Sequence, residues 1–328
     1  MVFLVAAIWL LNSLSWVIGL LLISTLIVYI LYPLLQFLKI KFRLSHGLAT
    51  ALVFTAFLLF SVFVISLLVP VIYYESVELS ENFPHYLSRF QAFLSWLTQQ
   101  TIAFDIQEEV RGFLLSLTDN IHQAVEYLAE ASLSVIGGAV DIFLVLFLVF
   151  YLLYDFQSVR EQLIEIVPTA KRPLARELLM IIDTNVGTFI RGSLIRCLIV
   201  GIVAGVTMSL VGMPYALLLG LLAGIFNFIL YIGPYIAAVP AVLLSFSPLT
   251  PSPVLIIIIY IVIQILDGMF LAPVVLGRIL RIKPITVIVA ILAGGSLGGL
   301  LGMVLAVPVA GMIKSVLELV KRSPAYDQ

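Results

Sequence analysis

The chain has 328 residues, of which 62% are hydrophobic and only 11% are charged, and its formal net charge at pH 7 is -1. Its mean hydropathy of +1.21 excludes an ordinary soluble domain, and many of its apolar runs are long enough to span a bilayer. The sequence therefore predicts an all-α, polytopic membrane protein. Its single cysteine allows neither a disulfide framework nor a cysteine metal site.

The N-terminal region, residues 1–72, is predicted to form a scaffold of membrane spans. Residues 1–15 have no basic segment and run directly into another apolar stretch, which favours a short membrane element over a cleaved signal peptide. Strong spans follow at residues 16–38 and 47–72. The loop between them contains Lys39, Lys41 and Arg43, so the positive-inside rule places it in the cytoplasm.

The next region, residues 73–131, is acidic and follows an outward span, so it is predicted to be extracytoplasmic. Within it, "HYLSRFQAFLSWL" spaces its large apolar side chains as an amphipathic helix does. These side chains are Tyr86, Phe90, Phe93, Leu94 and Leu97. Such a helix can lie on the membrane surface, pack against a neighbouring subunit or form a solvated cap, and all three interpretations stay open.

Residues 132–187 are predicted to contain an inward span, 133–154, and then a cytoplasmic amphipathic segment. Arg191 and Arg196 open the following span, 188–211, which must run outward because its basic end stays inside. Only one further long span, 254–276, returns to the cytoplasm. Residues 214–247 must therefore start and end outside, and residues 285–319 must start and end inside.

These two segments are predicted to be hairpins of two short apolar arms, broken at "YIGPY" and at "GGSLGG". Their sequences are alike, because Pro214 precedes Gly224 by the same interval by which Pro284 precedes Gly294, and "AVP" follows in both. A span with a hairpin from one side, then a span with a hairpin from the other, indicates an inverted repeat. Chance similarity between two apolar, glycine-rich segments is the alternative. The halves are residues 188–252 and 253–320. The whole chain is predicted to have about 6 to 8 transmembrane helices, with the two hairpins broken or re-entrant.

The first hairpin contains an amide and a helix-breaking pair at membrane depth. Such irregular backbone is tolerated only where protein or a wet cavity satisfies the freed groups, and in secondary transporters it builds the substrate site. Gly233 and Pro234 are predicted to end the first arm, with Asn227 nearby as donor and acceptor. The alternative is a tight turn in a packed bundle. The matching tip of the second hairpin has Gly294, Gly295 and Gly298.

Asp267 lies well inside an apolar span, three residues after Gln264 and therefore on the same helix face. A charged carboxylate costs about 2.5–3.5 kcal/mol at the bilayer centre, so it must meet a partner or a wet cavity. Proton or cation coupling is one hypothesis. A structural ion pair with Arg191 or Arg196, or a simple neutral acid, is the alternative. Those arginines also lie near the cytoplasmic end of their span, where they could anchor it at the interface.

Other chemistry is not indicated. The histidines, His46, His85 and His122, are scattered and form no metal constellation. The sequence shows no catalytic triad, cofactor fingerprint or basic nucleic-acid face, so we expect no enzyme, no cofactor and no nucleic-acid partner.

Three stretches together resemble one protein family: "FIRGSLI" at Phe189–Ile195, "GMPYALLLGLLAGIFNFILYIGPYIAAVPAVL" at Gly212–Leu243, and "LAPVVLGRILRIKPITVIVAILAGGSLGGLLGMVLAVPVAGMIK" at Leu271–Lys314. They are similar to the AI-2E family of transporters, also called the autoinducer-2 exporter or PerM-type family. Members commonly have proline where this chain has Leu230, often glutamine where it has Ser193, and glutamate followed by asparagines where it has Asp267, Gly268 and Met269.

The resemblance implies a permease of the bacterial cytoplasmic membrane. Family members are linked to export of the furanosyl signal autoinducer-2, to sodium or lithium exchange for protons, and in spore formers to sporulation. We expect a secondary transporter of a small polar solute with elevator-like alternating access. A cation/proton antiporter and a non-transport membrane assembly or sporulation partner are the alternatives. Membrane lipids, a small molecule or monovalent cation, and further copies of the chain are the expected partners.

Overall fold

The computed structural model describes residues 15–100, 138–276 and 283–322, with Gly112 and Gln123 as isolated positions. Every regular element in these ranges is helical, which confirms the all-α class. The main helices are α1 (Ser15–Phe42), α2 (His46–Gln100), α3 (Ala139–Glu165), α4 (Arg172–Leu210), α5 (Ala216–Phe226), α6 (Gly233–Leu244), α7 (Pro253–Leu266), α8 (Ala272–Leu276) and α9 (Pro284–Arg322). A π-helical turn, Asp267–Leu271, joins α7 to α8.

Five of these helices contain stretches long and apolar enough to cross a membrane: Trp16–Phe42, His46–Phe93, Val140–Glu165, Arg172–Leu210 and Pro253–Val274. Each overlaps one of the five long spans predicted from hydropathy, and together they confirm a polytopic membrane protein. The predicted element at residues 1–15 lies outside the described residues. So does most of the acidic segment after residue 100.

The chain divides into two compact units. The first contains the described residues within 1–62, 138–192 and 278–328, and the second those within 63–137 and 193–277. Helices α2 and α4 contribute residues to both units. The predicted inverted repeat follows different boundaries, and it stays a prediction.

The core of the first unit is formed by α1, α3 and the start of α2. Its fully buried residues are Val28, Leu31, Leu35, Ala49, Val53, Val149 and Leu153. The ring of Phe156 packs against Tyr29 and Tyr32 of α1. At the start of α2, His46 Nε2 lies 2.7 Å from the carbonyl oxygen of Tyr154, which ties α2 to the end of α3.

A proline in α1 explains the position of Arg191. Pro33 has no N–H, so the carbonyl of Tyr29, four residues earlier, loses its partner within the helix. Arg191 Nη1 of α4 donates to that carbonyl at 2.9 Å. The hydroxyl of Tyr29 donates to Asp183 Oδ1 at 2.7 Å. Arg191 therefore completes the backbone hydrogen bonding that Pro33 interrupts within α1, as backbone at membrane depth requires.

The second unit includes the outer half of α2, which packs against its own chain. Leu79 and Phe83 are buried in the core of this unit. The rings of Phe90 and Phe93 lie 4.7 and 4.9 Å from the ring of Phe246, just after α6. Part of the predicted amphipathic face thus contacts the base of the first hairpin.

The first hairpin consists of α5 and α6. In contrast to the prediction, Gly233 and Pro234 begin the second arm rather than end the first, because proline is well suited to the first turn of a helix. The first arm ends at Phe226, and Asn227 caps it with its N–H on the carbonyl of Ala223. A side chain at Gly233 would collide with the carbonyl of Phe226, so only glycine fits there.

Glycines bring α5 directly against α4. A Cβ atom at Gly220 would lie 2.6 Å from Gly205 Cα and 2.8 Å from the carbonyl oxygen of Gly201. One at Gly224 would lie 2.9 Å from the carbonyl oxygen of Cys197. The backbones of α4 and α5 are therefore in contact, as small residues permit in membrane helix pairs. This contact sets the position of Asn227, three residues after Gly224.

The second hairpin is α9, which is helical except at Gly298 and Gly299. Gly299 has φ +56, a left-handed conformation that glycine adopts without steric cost. Side chains at Gly294 and Gly302 would each collide with the backbone of the other. The two arms of this hairpin are thus in backbone contact with each other.

Candidate functional site

The second unit contains a charged residue that α4 buries. Arg196 is only 3% exposed, although long basic side chains near the end of a span can extend to the interface. Gly201 and Gly205, five and nine residues later on α4, hold this helix close to α5. The side chain of Arg196 contacts the first hairpin at Asn227. Arg196 is therefore not an interfacial anchor.

Asp267 lies where α7 changes its winding. The N–H of Ala272 donates to the carbonyl of Asp267, five residues earlier, which makes a π-helical turn. Such turns insert one extra residue into a helix and often occur at functional sites. Asp267 is the first residue of this turn, and its side chain is 1% exposed.

Arg196 and Asp267 form a two-pronged ion pair. Arg196 Nε lies 2.7 Å from Asp267 Oδ1 and 2.9 Å from Oδ2. Arg196 Nη2 lies 2.6 Å from Oδ2. Both carboxylate oxygens therefore accept hydrogen bonds from one guanidinium, the geometry in which a charged pair is strongest and most directional.

Asn227 completes the network from the tip of the first hairpin. Arg196 Nη2 also donates to Asn227 Oδ1, at 3.2 Å. Asn227 is 1% exposed, and its Nδ2 atom has no hydrogen-bond partner among the described residues. Three side chains from α4, the α5 cap and the π turn thus meet in one buried polar cluster, which we call the Arg196–Asn227–Asp267 network.

This network is electrically balanced. Burying two charges costs several kcal/mol each, roughly, and only close pairing with further hydrogen bonds compensates. Removing one partner leaves an uncompensated charge, whereas removing both does not. The network therefore places two charges in the protein interior with no net charge.

The remaining residues predicted for the pathway are distributed over both units. Gln264 is half-buried on α7, one turn before Asp267. Gly233 and Pro234 begin α6, in the same unit. Gly294, Gly295 and Gly298 belong to the first unit. Arg191 also belongs there, bound to the carbonyl of Tyr29.

Sequence reasoning missed two buried polar residues on α4 and α7, the helices that lead to the ion pair. Ser193 is 1% exposed and Tyr260 is 9% exposed, and neither hydroxyl has a hydrogen-bond partner among the described residues. Their spacing contained a usable signal, because Ser193 precedes Arg196 by one turn and Tyr260 precedes Asp267 by two. Each therefore shares a helix face with a charged residue.

The long apolar helices of the described residues define a multi-pass membrane protein. Comparison with protein-family models matches residues 1–322 to the AI-2E family transporter. The chain belongs to this family, which is a family of transporters and not of enzymes.

Individual relatives agree with this assignment. The chain is 32% identical over 301 residues to "Putative transport protein YrrI" of Bacillus subtilis, covering 90% of this chain and 84% of that protein. It is 30% identical to "Putative transport protein YueF" of the same organism, covering 90% and 81%. It is 25% identical to "Putative permease PerM" of Escherichia coli, covering 97% and 91%.

Proposed function

We propose that this protein is a secondary transporter of the bacterial cytoplasmic membrane that exports a small polar solute such as autoinducer-2. The observation that carries the proposal is the Arg196–Asn227–Asp267 network: three buried polar side chains that meet where one membrane helix ends and another changes its winding. Broken helices with buried polar groups are how secondary transporters build substrate sites.

The state of Asp267 supports an uncharged solute over a cation. Both oxygens of Asp267 accept hydrogen bonds from Arg196. Protonation of Asp267 would leave the charge of Arg196 buried without its counter-ion, at a cost of about 3–5 kcal/mol, and a cation at Asp267 would compete with the guanidinium for the same carboxylate. A neutral solute can bind at the Asn227 amide without breaking the pair.

The arm lengths support a re-entrant first hairpin. Helices α5 and α6 have 11 and 12 residues, and at 1.5 Å per residue they extend about 17 and 18 Å. The hydrocarbon core is about 30 Å thick, so neither arm alone is long enough to cross it. We infer that the tip with Asn227 reaches mid-depth, where elevator-like alternating access can expose it to either side.

The decisive experiment is transport in proteoliposomes with a pair of variants. Asp267→Asn alone leaves Arg196 buried and charged, so its loss of activity would not separate function from folding. The double variant Arg196→Met/Asp267→Leu removes both charges, and apolar replacement of a buried pair is often neutral for stability. We expect this variant to fold and insert normally but to lose efflux of autoinducer-2.

The same vesicles test cation exchange. The buried carboxylate in a π turn is the observation that favours this second candidate. An imposed sodium gradient should leave internal pH unchanged for the wild type. Sodium-driven proton movement that vanishes in the double variant would replace the proposed function with antiport. Full efflux by the double variant would contradict the proposed role of the network.

A further inference from the structure

The Arg196–Asn227–Asp267 network is closed to solvent. Its three residues are 3%, 1% and 1% exposed, so a solute can reach the Asn227 amide only after part of the protein moves. Helix α5, which leads to Asn227, is held against the backbone of α4 by its glycines. The nearest segment along the chain that is not helical is the loop from α5 to α6, residues 228–232.

This loop contains a strained backbone turn at Tyr231. Tyr231 has φ +67, and the N–H of Ile232 donates to the carbonyl of Leu230 at 2.9 Å. A hydrogen bond that spans three residues around a positive φ is the form of γ-turn that is rare and strained. Among the described residues, only Arg43 and Tyr215 share a positive φ with Tyr231 and the glycines. Tyrosine thus holds a conformation that only glycine adopts without steric cost.

Buried neighbours keep the turn in this conformation. Ile229 and Leu230 are each 4% exposed, whereas Tyr231 is 44% exposed. The N–H of Gly233, the first residue of α6, donates to the carbonyl of Ile229 at 3.0 Å. A strained residue persists only where its surroundings fix it, and such residues are concentrated at ligand clamps and switches. Movement of the two buried side chains would therefore allow Tyr231 to relax.

We propose that the Tyr231 turn is the gate of the solute site: relaxation of Tyr231 to a negative φ breaks the hydrogen bond across the turn, moves Ile229 and Leu230 away and opens a path to Asn227. The strain raises the energy of the closed state, and the open state is populated more for that reason. The inference rests on the proposed function, since it concerns access to the same network. It makes Tyr231 a positioning residue and does not require contact with the solute.

The variants Tyr231→Gly and Tyr231→Ala separate backbone strain from loss of the phenol ring. Both remove the ring, but only glycine relieves the strain. The open state of Tyr231→Gly should be about ten-fold less populated than that of Tyr231→Ala, the factor that corresponds to one left-handed residue. The unfolding temperature of Tyr231→Gly should also be roughly 2 °C higher.

Cys197 reports the open state without an added residue or solute. It is the only cysteine of the chain, it is 7% exposed, and its thiol is close enough to Arg196 and Asp267 to sense both charges. N-ethylmaleimide should therefore modify the detergent-purified protein in proportion to the population of the open state. We expect labelling about ten-fold slower in Tyr231→Gly than in Tyr231→Ala, and Tyr231→Ala should label at the wild-type rate.

Arg43→Gly is the matched control for relief of strain. Arg43 has φ +51 and lies exposed in the first unit, in the loop between α1 and α2. Compared with Arg43→Ala, it should raise the unfolding temperature but leave the labelling of Cys197 unchanged. Slower labelling in Arg43→Gly as well would show that the reagent reaches the thiol through global unfolding, and would overturn the inference.

The remaining outcomes separate the gate from the proposed function. Equal labelling of Tyr231→Gly and Tyr231→Ala would overturn the gate and leave the proposed function intact. In proteoliposomes, kcat/KM for autoinducer-2 efflux should fall by the same factor as labelling does, because only the open state admits solute. Slower labelling with unchanged efflux would show that the turn does not control transport. A wild-type protein that moves no autoinducer-2, but whose labelling follows the prediction, would refute the proposed solute and retain the gate.

Discussion

The two hairpins look alike in sequence but differ in what their glycines contact. An offset of 70 residues aligns Pro214 with Pro284 and Gly224 with Gly294. In the first hairpin, the glycines of α5 press against the backbone of α4, a different helix. In the second, Gly294 meets Gly302 of the other arm of the same hairpin.

The tips differ as well. The same offset aligns Asn227 with Leu297. Asn227 is buried and bound to Arg196, whereas Leu297 is 89% exposed and its neighbours Gly298 and Gly299 only reverse the chain. The same glycine spacing can thus pack a hairpin against a neighbouring helix, as in the first hairpin, or pack its two arms against each other, as in the second. The sequence pattern does not distinguish these two arrangements.

The largest predicted effect concerns the ion pair that binds the tip of the first hairpin. Asp267→Asn should lower the stability of the protein by about 3–5 kcal/mol, because it leaves the charge of Arg196 buried without its counter-ion. The measurement is thermal unfolding of the detergent-purified protein. A variant as stable as the wild type would show that Arg196 finds another partner or reaches water.

A double variant that also removes the charge of Arg196 is the matched control for Asp267→Asn. The double variant Arg196→Met/Asp267→Leu should be much more stable than Asp267→Asn and close to the wild type, since no unpaired charge remains. If the double variant is as unstable as Asp267→Asn, packing at these positions, and not charge, determines stability there.

The second prediction disrupts the contact that positions Asn227. Gly220→Val should cost about 3 kcal/mol, because its Cβ would lie 2.6 Å from Gly205 Cα, a backbone atom that cannot move aside. Gly19→Ala, where no atom lies within 4 Å of the added Cβ, is the control and should not lower stability, because alanine favours a helix more than glycine does. Normal unfolding temperature in Gly220→Val would contradict backbone contact between α4 and α5.

The third prediction makes the corresponding change in the second hairpin. Gly294→Val should cost about 2 kcal/mol, less than Gly220→Val, because the arms can separate toward an exposed tip. Gly298→Ala is the control, since an added Cβ meets nothing within 4 Å there. Equal losses for Gly294→Val and Gly220→Val would mean that the second hairpin is as tightly constrained as the first.

Hydropathy and charge were sufficient to predict the five long spans, because both are additive along a segment. They could not identify the partner of Asp267, since Arg191 and Arg196 lie on the same span and hydropathy does not distinguish them. Tertiary packing does: Arg191 binds the Tyr29 carbonyl that Pro33 leaves free, and Arg196 is left to pair with Asp267. The prediction that Gly233 and Pro234 end the first arm was wrong. A Gly-Pro pair can end one helix or begin the next, and here it begins α6.

The smallest effect on stability is expected at the aligned tip residues Asn227 and Leu297, and we expect the two to differ in their effect on transport. Asn227→Ala removes an acceptor from Arg196 but also removes the unpaired Nδ2, so these terms largely offset and the net loss should be about 1 kcal/mol. Leu297→Ala, at an exposed side chain, should change stability by less than about 0.5 kcal/mol. Efflux of autoinducer-2 should be lost in Asn227→Ala and retained in Leu297→Ala. Equal activity in both would mean that the buried amide serves packing alone, and that the two hairpins differ in contacts but not in function.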